Sequence, residues 1–69
     1  MADRRAELDQ WFDVLEQSGE RAQHEIARGA RLILRTIEAA PASDYRDMAL
    51  CKLTDAVITA AVAARQPNT

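Results

Sequence analysis

Cysteine, proline, glycine and aromatic residues are all scarce in this chain of 69 residues, and these shortages narrow its possible classes. Cys51 is the only cysteine, so the chain can form no internal disulfide and no cysteine-based metal site. The two glycines and two prolines leave long segments uninterrupted, as helices require. No run of about 18 apolar residues is present, so we expect no membrane span.

Net positive charge is also lacking. A formal charge of -2 and a pI of about 5.2 argue against a general binder of DNA or RNA. Residues 1–20 are too acidic for a signal peptide and a lone cysteine suits a reducing compartment, so we expect a cytoplasmic protein. The charge is unevenly placed: residues 1–20 carry six acidic and two basic side chains, whereas residues 21–36 carry four arginines against the single Glu25.

The spacing of apolar residues predicts three helices. The first covers residues 2–17, with an apolar face at i, i+3, i+4 and i+7 formed by Leu8, Trp11, Phe12 and Leu15. Gly19 can adopt the left-handed conformation that ends a helix, and Ser18 can cap the next one. The second helix covers residues 20–40. After the turn at Pro41, Ser43 is the predicted N-cap of a third helix over residues 43–65.

The apolar stripes of the second and third helices predict how the two pack. The predicted buried stripe of the second helix consists of Ala22, Ile26, Ala30, Ile33 and Ile37, with Leu34 at its margin. That of the third helix consists of Tyr45, Ala49, Leu53, Ala56, Ala60 and Ala63. Because the turn between these helices is short, they should be antiparallel neighbours.

A second apolar stripe on the third helix predicts self-association. Cys51, Ile58 and Val62 lie on nearly the opposite face, and a single partner helix cannot cover both stripes. So small a domain is also marginal alone. The predicted fold is therefore all-α, an antiparallel helical hairpin with an additional N-terminal helix, assembled as a homo-oligomer. Residues 1–69 form a single domain, with an N-terminal helical arm (1–18), the hairpin (20–65) and a loose tail (66–69).

The most informative polar pattern is a strip on the second helix. Its 3-4-3-4 spacing places five side chains on one narrow face: Arg21, His24, Arg28, Arg31 and Arg35. A solvated helix face usually mixes both signs of charge. Two interpretations carry about equal weight, namely pairing with the acidic first helix of the same or a neighbouring chain, and binding of an anion. His24 is expected to be an exposed residue and not a metal ligand, because no second histidine accompanies it.

Motifs for catalysis are missing. The chain has no Gly-rich phosphate loop, no Gly-x-Ser-x-Gly elbow and no His-Glu-x-x-His sequence. We therefore expect neither an enzyme nor a bound cofactor or metal.

One segment carries a resemblance to a known family. After the turn Pro41-Ala42-Ser43, residues 49–57 read Ala-Leu-Cys-Lys-Leu-Thr-Asp-Ala-Val. With this run as its motif, the chain over about residues 20–65 resembles the hairpin domain of the anti-CBASS and anti-Thoeris sponges, small phage proteins that sequester the cyclic nucleotides of bacterial immune signalling. The resemblance implies a homo-oligomer, commonly a hexamer, with cyclic di- or trinucleotides held between subunits by an N-terminal aromatic residue and basic helix residues. The host bacterial cytoplasm would be its location.

The candidate ligand-binding residues combine the strip with this resemblance. They are Trp11 or Phe12 as a ring that stacks on a base, Arg28 and Arg31 for phosphate oxygens, and Lys52 as the position that matches the family motif. Structural alternatives are a core role for either ring and an ion pair between Lys52 and Asp55.

The function predicted from these residues is non-catalytic sequestration of a cyclic oligonucleotide, with no long nucleic acid and no membrane as partner. The alternative is a helical module that binds another protein through the stripe formed by Cys51, Ile58 and Val62, without a nucleotide ligand.

Overall fold

The computed structural model describes residues 4–65, and within them the chain forms three α-helices and no strand. These are α1 (Arg4–Gln17), α2 (Arg21–Ala39) and α3 (Asp44–Arg65). Each helix packs against the other two around one apolar cluster. The prediction of an all-helical chain is confirmed. The predicted tail, residues 66–69, and the first two residues of the predicted first helix, 2 and 3, lie outside the described residues.

Ion pairs between the helices establish their directions. Arg5, near the start of α1, contacts Glu38 near the end of α2, so these two helices are antiparallel. The α2–α3 connection, residues 40–43, is short enough to make that pair antiparallel as well. Consequently α1 runs parallel to α3, and Arg4 contacts Asp55.

The break between α1 and α2 differs from the one predicted. The helix ends at Gln17, where the Ser18 N–H donates to the Leu15 carbonyl at 3.3 Å. Gly19 does not adopt a positive φ, so the left-handed helix end that the sequence allowed at this position does not form. The Ser18 hydroxyl instead accepts the Glu20 N–H at 3.1 Å, and this side chain–backbone bond stabilises the bend.

The turn between α2 and α3 follows the expected chemistry. Ala40 is extended, with φ -75° and ψ 152°, which is the conformation that a following proline favours. At the start of α3 the Ser43 hydroxyl accepts the Arg46 N–H at 3.1 Å, and the Ser43 carbonyl accepts the Asp47 N–H at 3.1 Å. Ser43 is therefore the N-cap of α3, as predicted.

The core is centred on different faces of α2 and α3 from those predicted. Its buried apolar members are Leu8, Phe12, Leu15, Ala27, Ala30, Leu34, Leu53, Val57 and Ala61. Ile33 is 54% exposed, whereas its neighbour Leu34 is only 3% exposed. On α3, Tyr45 is 83% exposed although the stripe placed it inside. Several alanines of the predicted stripes are exposed too, namely Ala22, Ala56 and Ala63.

The position of α1 explains this difference. The predicted stripes assume that α2 and α3 bury their sides only against each other. Because α1 packs against both helices, the most buried positions are those that face the centre of all three. Other residues of the predicted stripes line a surface groove of about 250 Å³ between α2 and α3, together with Gly29 and the core residues Ala30 and Leu53: Ile26, Ile33, Ala56 and Ala60.

Candidate functional site

A surface cleft collects most of the basic strip. It encloses about 440 Å³ and is lined by Glu16 of α1 and by five residues of α2: His24, Arg28, Arg31, Leu32 and Arg35. The α2 members recur at three- and four-residue intervals, so they share one face of the helix and the apolar core is on another. The structure thus confirms that this strip forms a single surface, although Arg21 does not line the cleft.

Arg31 is the most constrained cation of the cleft. Its Nε and Nη2 donate to the two carboxylate oxygens of Glu16, both at 2.7 Å. The guanidinium carbon also lies 4.4 Å from the centre of the Phe12 ring, a cation–π distance. Hydrogen bonding to Arg31 holds the pKa of Glu16 below its usual range, and the same bonds raise the pKa of Arg31. Both groups therefore stay charged at neutral pH.

Arg28 and Arg35 lie on either side of Arg31 and are in a different situation. Among the described residues, neither makes a hydrogen bond or an ion pair. Of the other acids of α1, Asp9 pairs with Arg5 at 2.6 Å, and Asp13 lies near Arg31 without a hydrogen bond to it. Intrachain pairing with the acidic first helix is thus confirmed at one arginine of the strip, and the cleft keeps two cations without a protein partner.

The remaining polar group of the cleft, His24, is bound to the backbone. Its Nε2 donates to the carbonyl oxygen of Ser18, which fixes the imidazole beside the bend between α1 and α2. Across residues 4–65, no group of three or more His, Cys, Asp or Glu side chains could hold a metal ion. The chemistry that the cleft offers is anion recognition through guanidinium groups.

The structure brings only two of the predicted site residues, Arg28 and Arg31, into this cleft. Phe12 is fully buried, so it cannot stack on a base; its ring instead supports the Arg31 guanidinium. Trp11 is half-buried and lines a separate hollow with Gln10, Val14 and Arg65.

Lys52 is exposed on α3 and does not line the cleft. Its expected partner Asp55 pairs with Arg4 instead, and Lys52 makes no ion pair within the described range. The predicted set therefore does not form one site in the isolated chain.

Two residues outside the predicted set of site residues stand out in the structure. Glu16 lines the cleft because α1 and α2 are antiparallel, and no sequence spacing predicts that contact. Tyr45 is the most exposed aromatic ring of the described part, at the turn beside Pro41 and Arg46. Its i, i+4 relation to Ala49 had favoured a buried position.

Comparison with known proteins gives no relative: no family model, no curated protein and no solved structure matches the chain significantly. The resemblance of residues 49–57 to the sponge family thus remains a prediction. None of the helices in the described region is long and apolar enough to cross a membrane.

Proposed function

We propose that the chain is a non-catalytic binding protein for a small phosphate-bearing ligand of the cyclic di- or trinucleotide class. The observation that carries this proposal is the cleft in which Arg28 and Arg35 lie on either side of Arg31 and have no partner among residues 4–65. Unpaired guanidinium groups on one helix are available donors, because each presents several N–H groups that match phosphate oxygens.

The dimensions of the strip favour a ligand with more than one phosphate. Arg28 and Arg35 are separated by two helical turns, so their Cα atoms lie roughly 10 Å apart along the axis at 1.5 Å per residue. One phosphate can accept hydrogen bonds from both arginines only if the two side chains bend towards each other, whereas a ligand with two phosphates can engage each arginine separately. Leu32 adds an apolar wall on which a base or sugar can rest.

The biological role that follows is sequestration. A protein that binds a cyclic nucleotide messenger lowers its free concentration without any chemical step, which is the action of the phage sponges that residues 49–57 resemble. For this chain, immune evasion in a bacterial host cytoplasm is the corresponding role.

Calorimetric titration against common cyclic di- and trinucleotides and cyclic ADP-ribose isomers tests the proposal. Arg28→Glu and Arg35→Glu should each weaken binding by about tenfold or more, equivalent to about 1.4 kcal/mol. Arg21→Glu is the matched control, since it makes the same charge change on the same helix outside the cleft. A wild-type chain that binds no member of the panel refutes the proposed ligand class, and equal losses in all three variants would indicate only an effect of net charge.

Lys52→Ala tests the residue that the resemblance supplies. Lys52 lies away from the cleft in one chain, so a loss of binding in this variant requires a neighbouring subunit to bring Lys52 to the ligand.

We propose such a homo-oligomer, with the apolar groove between α2 and α3 and the surface around Val62 as its contacts. Ile33 and Val62 are 54% and 49% exposed, and covering them would stabilise an assembly.

The second candidate function is a helical module that binds a different protein through these apolar surfaces, without a nucleotide. It is favoured by the same exposure of Ile33 and Val62. Light scattering at micromolar concentration separates the two. A monomeric mass together with no cyclic-nucleotide binding favours the second function, whereas cyclic-nucleotide binding by an oligomer whose mass falls in Ile58→Asp favours the first.

A further inference from the structure

We infer that Glu16 is a built-in anionic competitor of the cleft, which occupies Arg31 in the free protein and sets the affinity for the phosphate ligand. This inference rests on the proposed function, because it concerns the regulation of the same cleft. Its basis is geometric: the carboxylate of Glu16 engages Nε and Nη2 of Arg31 in the paired arrangement that a phosphate would use.

The two-point contact removes part of the strongest donor set from the cleft. An arginine has five N–H donors, and the edge formed by Nε and Nη2 presents two parallel ones. Glu16 fills that edge, so an incoming phosphate meets the remaining Arg31 donors only, with a negative charge beside them. The ligand must either displace the carboxylate or bind next to it.

Exposure makes displacement feasible. The side chains of Glu16 and Arg31 are 43% and 44% exposed, so water can solvate the carboxylate once it leaves. Phe12, buried beneath the guanidinium, keeps Arg31 in place when its partner changes. An exposed ion pair of this kind contributes little to folding, which leaves it free to exchange.

The opposite role for Glu16 would be that of a positioning residue. In that case the carboxylate would orient Arg31 so that its free donors face the ligand, and removal of Glu16 would weaken binding. The two roles predict changes of opposite sign, and charge decides between them. Phe12 already restrains the guanidinium, so the main effect of losing Glu16 is the loss of a repulsive charge within the cleft.

The test is a ¹H–¹⁵N NMR titration of the intact chain with inorganic pyrophosphate, following the Nε–H signals of the arginine side chains. Glu16→Gln keeps the shape of the side chain and removes its charge. Its affinity for pyrophosphate should rise by at least about fivefold, the factor for two unit charges about 4 Å apart in water, because pyrophosphate carries more than one negative charge. In the wild type, the Arg31 Nε–H signal should shift as pyrophosphate replaces Glu16.

Asp13→Asn is the matched control. It removes the same charge from the same helix, near Arg31 but without a hydrogen bond or ion pair to it. Equal gains in Glu16→Gln and Asp13→Asn overturn the inference, because long-range charge alone then explains the effect. An unchanged or weakened affinity in Glu16→Gln overturns it too, and leaves the proposed function standing if the wild type binds.

If neither chain binds pyrophosphate, the competitor role is refuted, whereas the proposed ligand class is decided by the calorimetric panel of cyclic nucleotides. If only Glu16→Gln binds pyrophosphate, the competitor role holds, and Glu16 prevents pyrophosphate from binding to the wild-type cleft.

Discussion

Two adjacent residues of α2 provide a sharp test of the helix packing. Leu34 is 3% exposed in the centre of the three helices, whereas Ile33 is 54% exposed on the groove between α2 and α3. The sequence pattern predicts the opposite order. Truncation of each to alanine removes a similar number of methyl and methylene groups, so a difference in stability reports burial.

The expected magnitudes follow from these exposures. Leu34→Ala should lower the free energy of unfolding by about 2 to 5 kcal/mol, because it removes buried methylene groups and leaves a cavity. Ile33→Ala should cost about 1 kcal/mol or less, since full burial of such a side chain contributes about 1.5 to 3 kcal/mol and roughly half of Ile33 is already in water.

Urea denaturation monitored by circular dichroism, at several protein concentrations, measures both effects. Equal costs at every concentration, or a larger cost for Ile33→Ala at low concentration, would refute the packing described above. A cost for Ile33→Ala that grows with protein concentration would instead show that a second chain covers the groove, because association stabilises by mass action.

Two further substitutions test features of the same core. Gln23 is fully buried, and within residues 4–65 its Oε1 has no hydrogen-bond partner, while its Nε2 makes only a long bond of 3.4 Å to the Ala61 carbonyl. Gln23→Met should therefore raise the free energy of unfolding by about 1 kcal/mol in the same assay. Destabilisation would indicate that the amide has an essential partner. Gly29 lies inside α2 with nothing within 4 Å of an added Cβ, so Gly29→Ala should stabilise the isolated chain by about 0.5 to 1 kcal/mol. A loss of stability would mean that another chain approaches the backbone there.

Local signals in the sequence were sufficient to predict the helices and one of their caps. Pro41 imposes an extended conformation on Ala40, which ends α2. The Ser43 hydroxyl accepts the N–H of the residue three positions later, which starts α3. Both effects are local, so the sequence pattern alone predicts where α3 begins. At Gly19 the sequence allowed a left-handed helix end, which does not form. The Ser18 hydroxyl bond stabilises a bend without a positive φ, and the glycine alone does not predict that bend.

The rotation of the helices about their axes could not be predicted in the same way. Ile33 and Leu34 are both apolar, and as neighbours in sequence they lie about 100° apart on the apolar side of α2. Which of them is buried depends on where α1 lies, and that is a contact between distant parts of the chain. The buried face of α2 also includes the polar residue Gln23. A polar residue interrupts the apolar periodicity from which buried faces are predicted, so this face was not recognised in the sequence.

The candidate site also combines residues that local spacing predicts with residues that only the packing of the helices brings together. Arg28 and Arg31 were found because one helix carries them at regular spacing. Glu16 was missed because its contact with Arg31 joins residues 15 positions apart on two helices. Trp11 and Lys52 were chosen partly by resemblance, and one chain does not bring either into the cleft.

The final prediction concerns pH and uses the Glu16–Arg31 pair without any ligand. Hydrogen bonds from Arg31 depress the pKa of Glu16 in the folded chain, so the folded state holds the proton of this group less readily than the unfolded state. The stabilisation from the pair is therefore fully present above the ordinary pKa of a glutamate, and it is lost as the pH falls through the depressed folded pKa.

Wild type and Glu16→Gln should consequently differ in thermal midpoint at pH 7 and converge in the acidic range, where the wild-type carboxylate becomes protonated. The difference at pH 7 should be small, because the pair is exposed and screened by water. Added salt should shrink it further. A difference that is unchanged between pH 7 and pH 3 would show that Glu16 acts through packing and not through its charge, and the same result would remove the electrostatic basis for its competition with a phosphate.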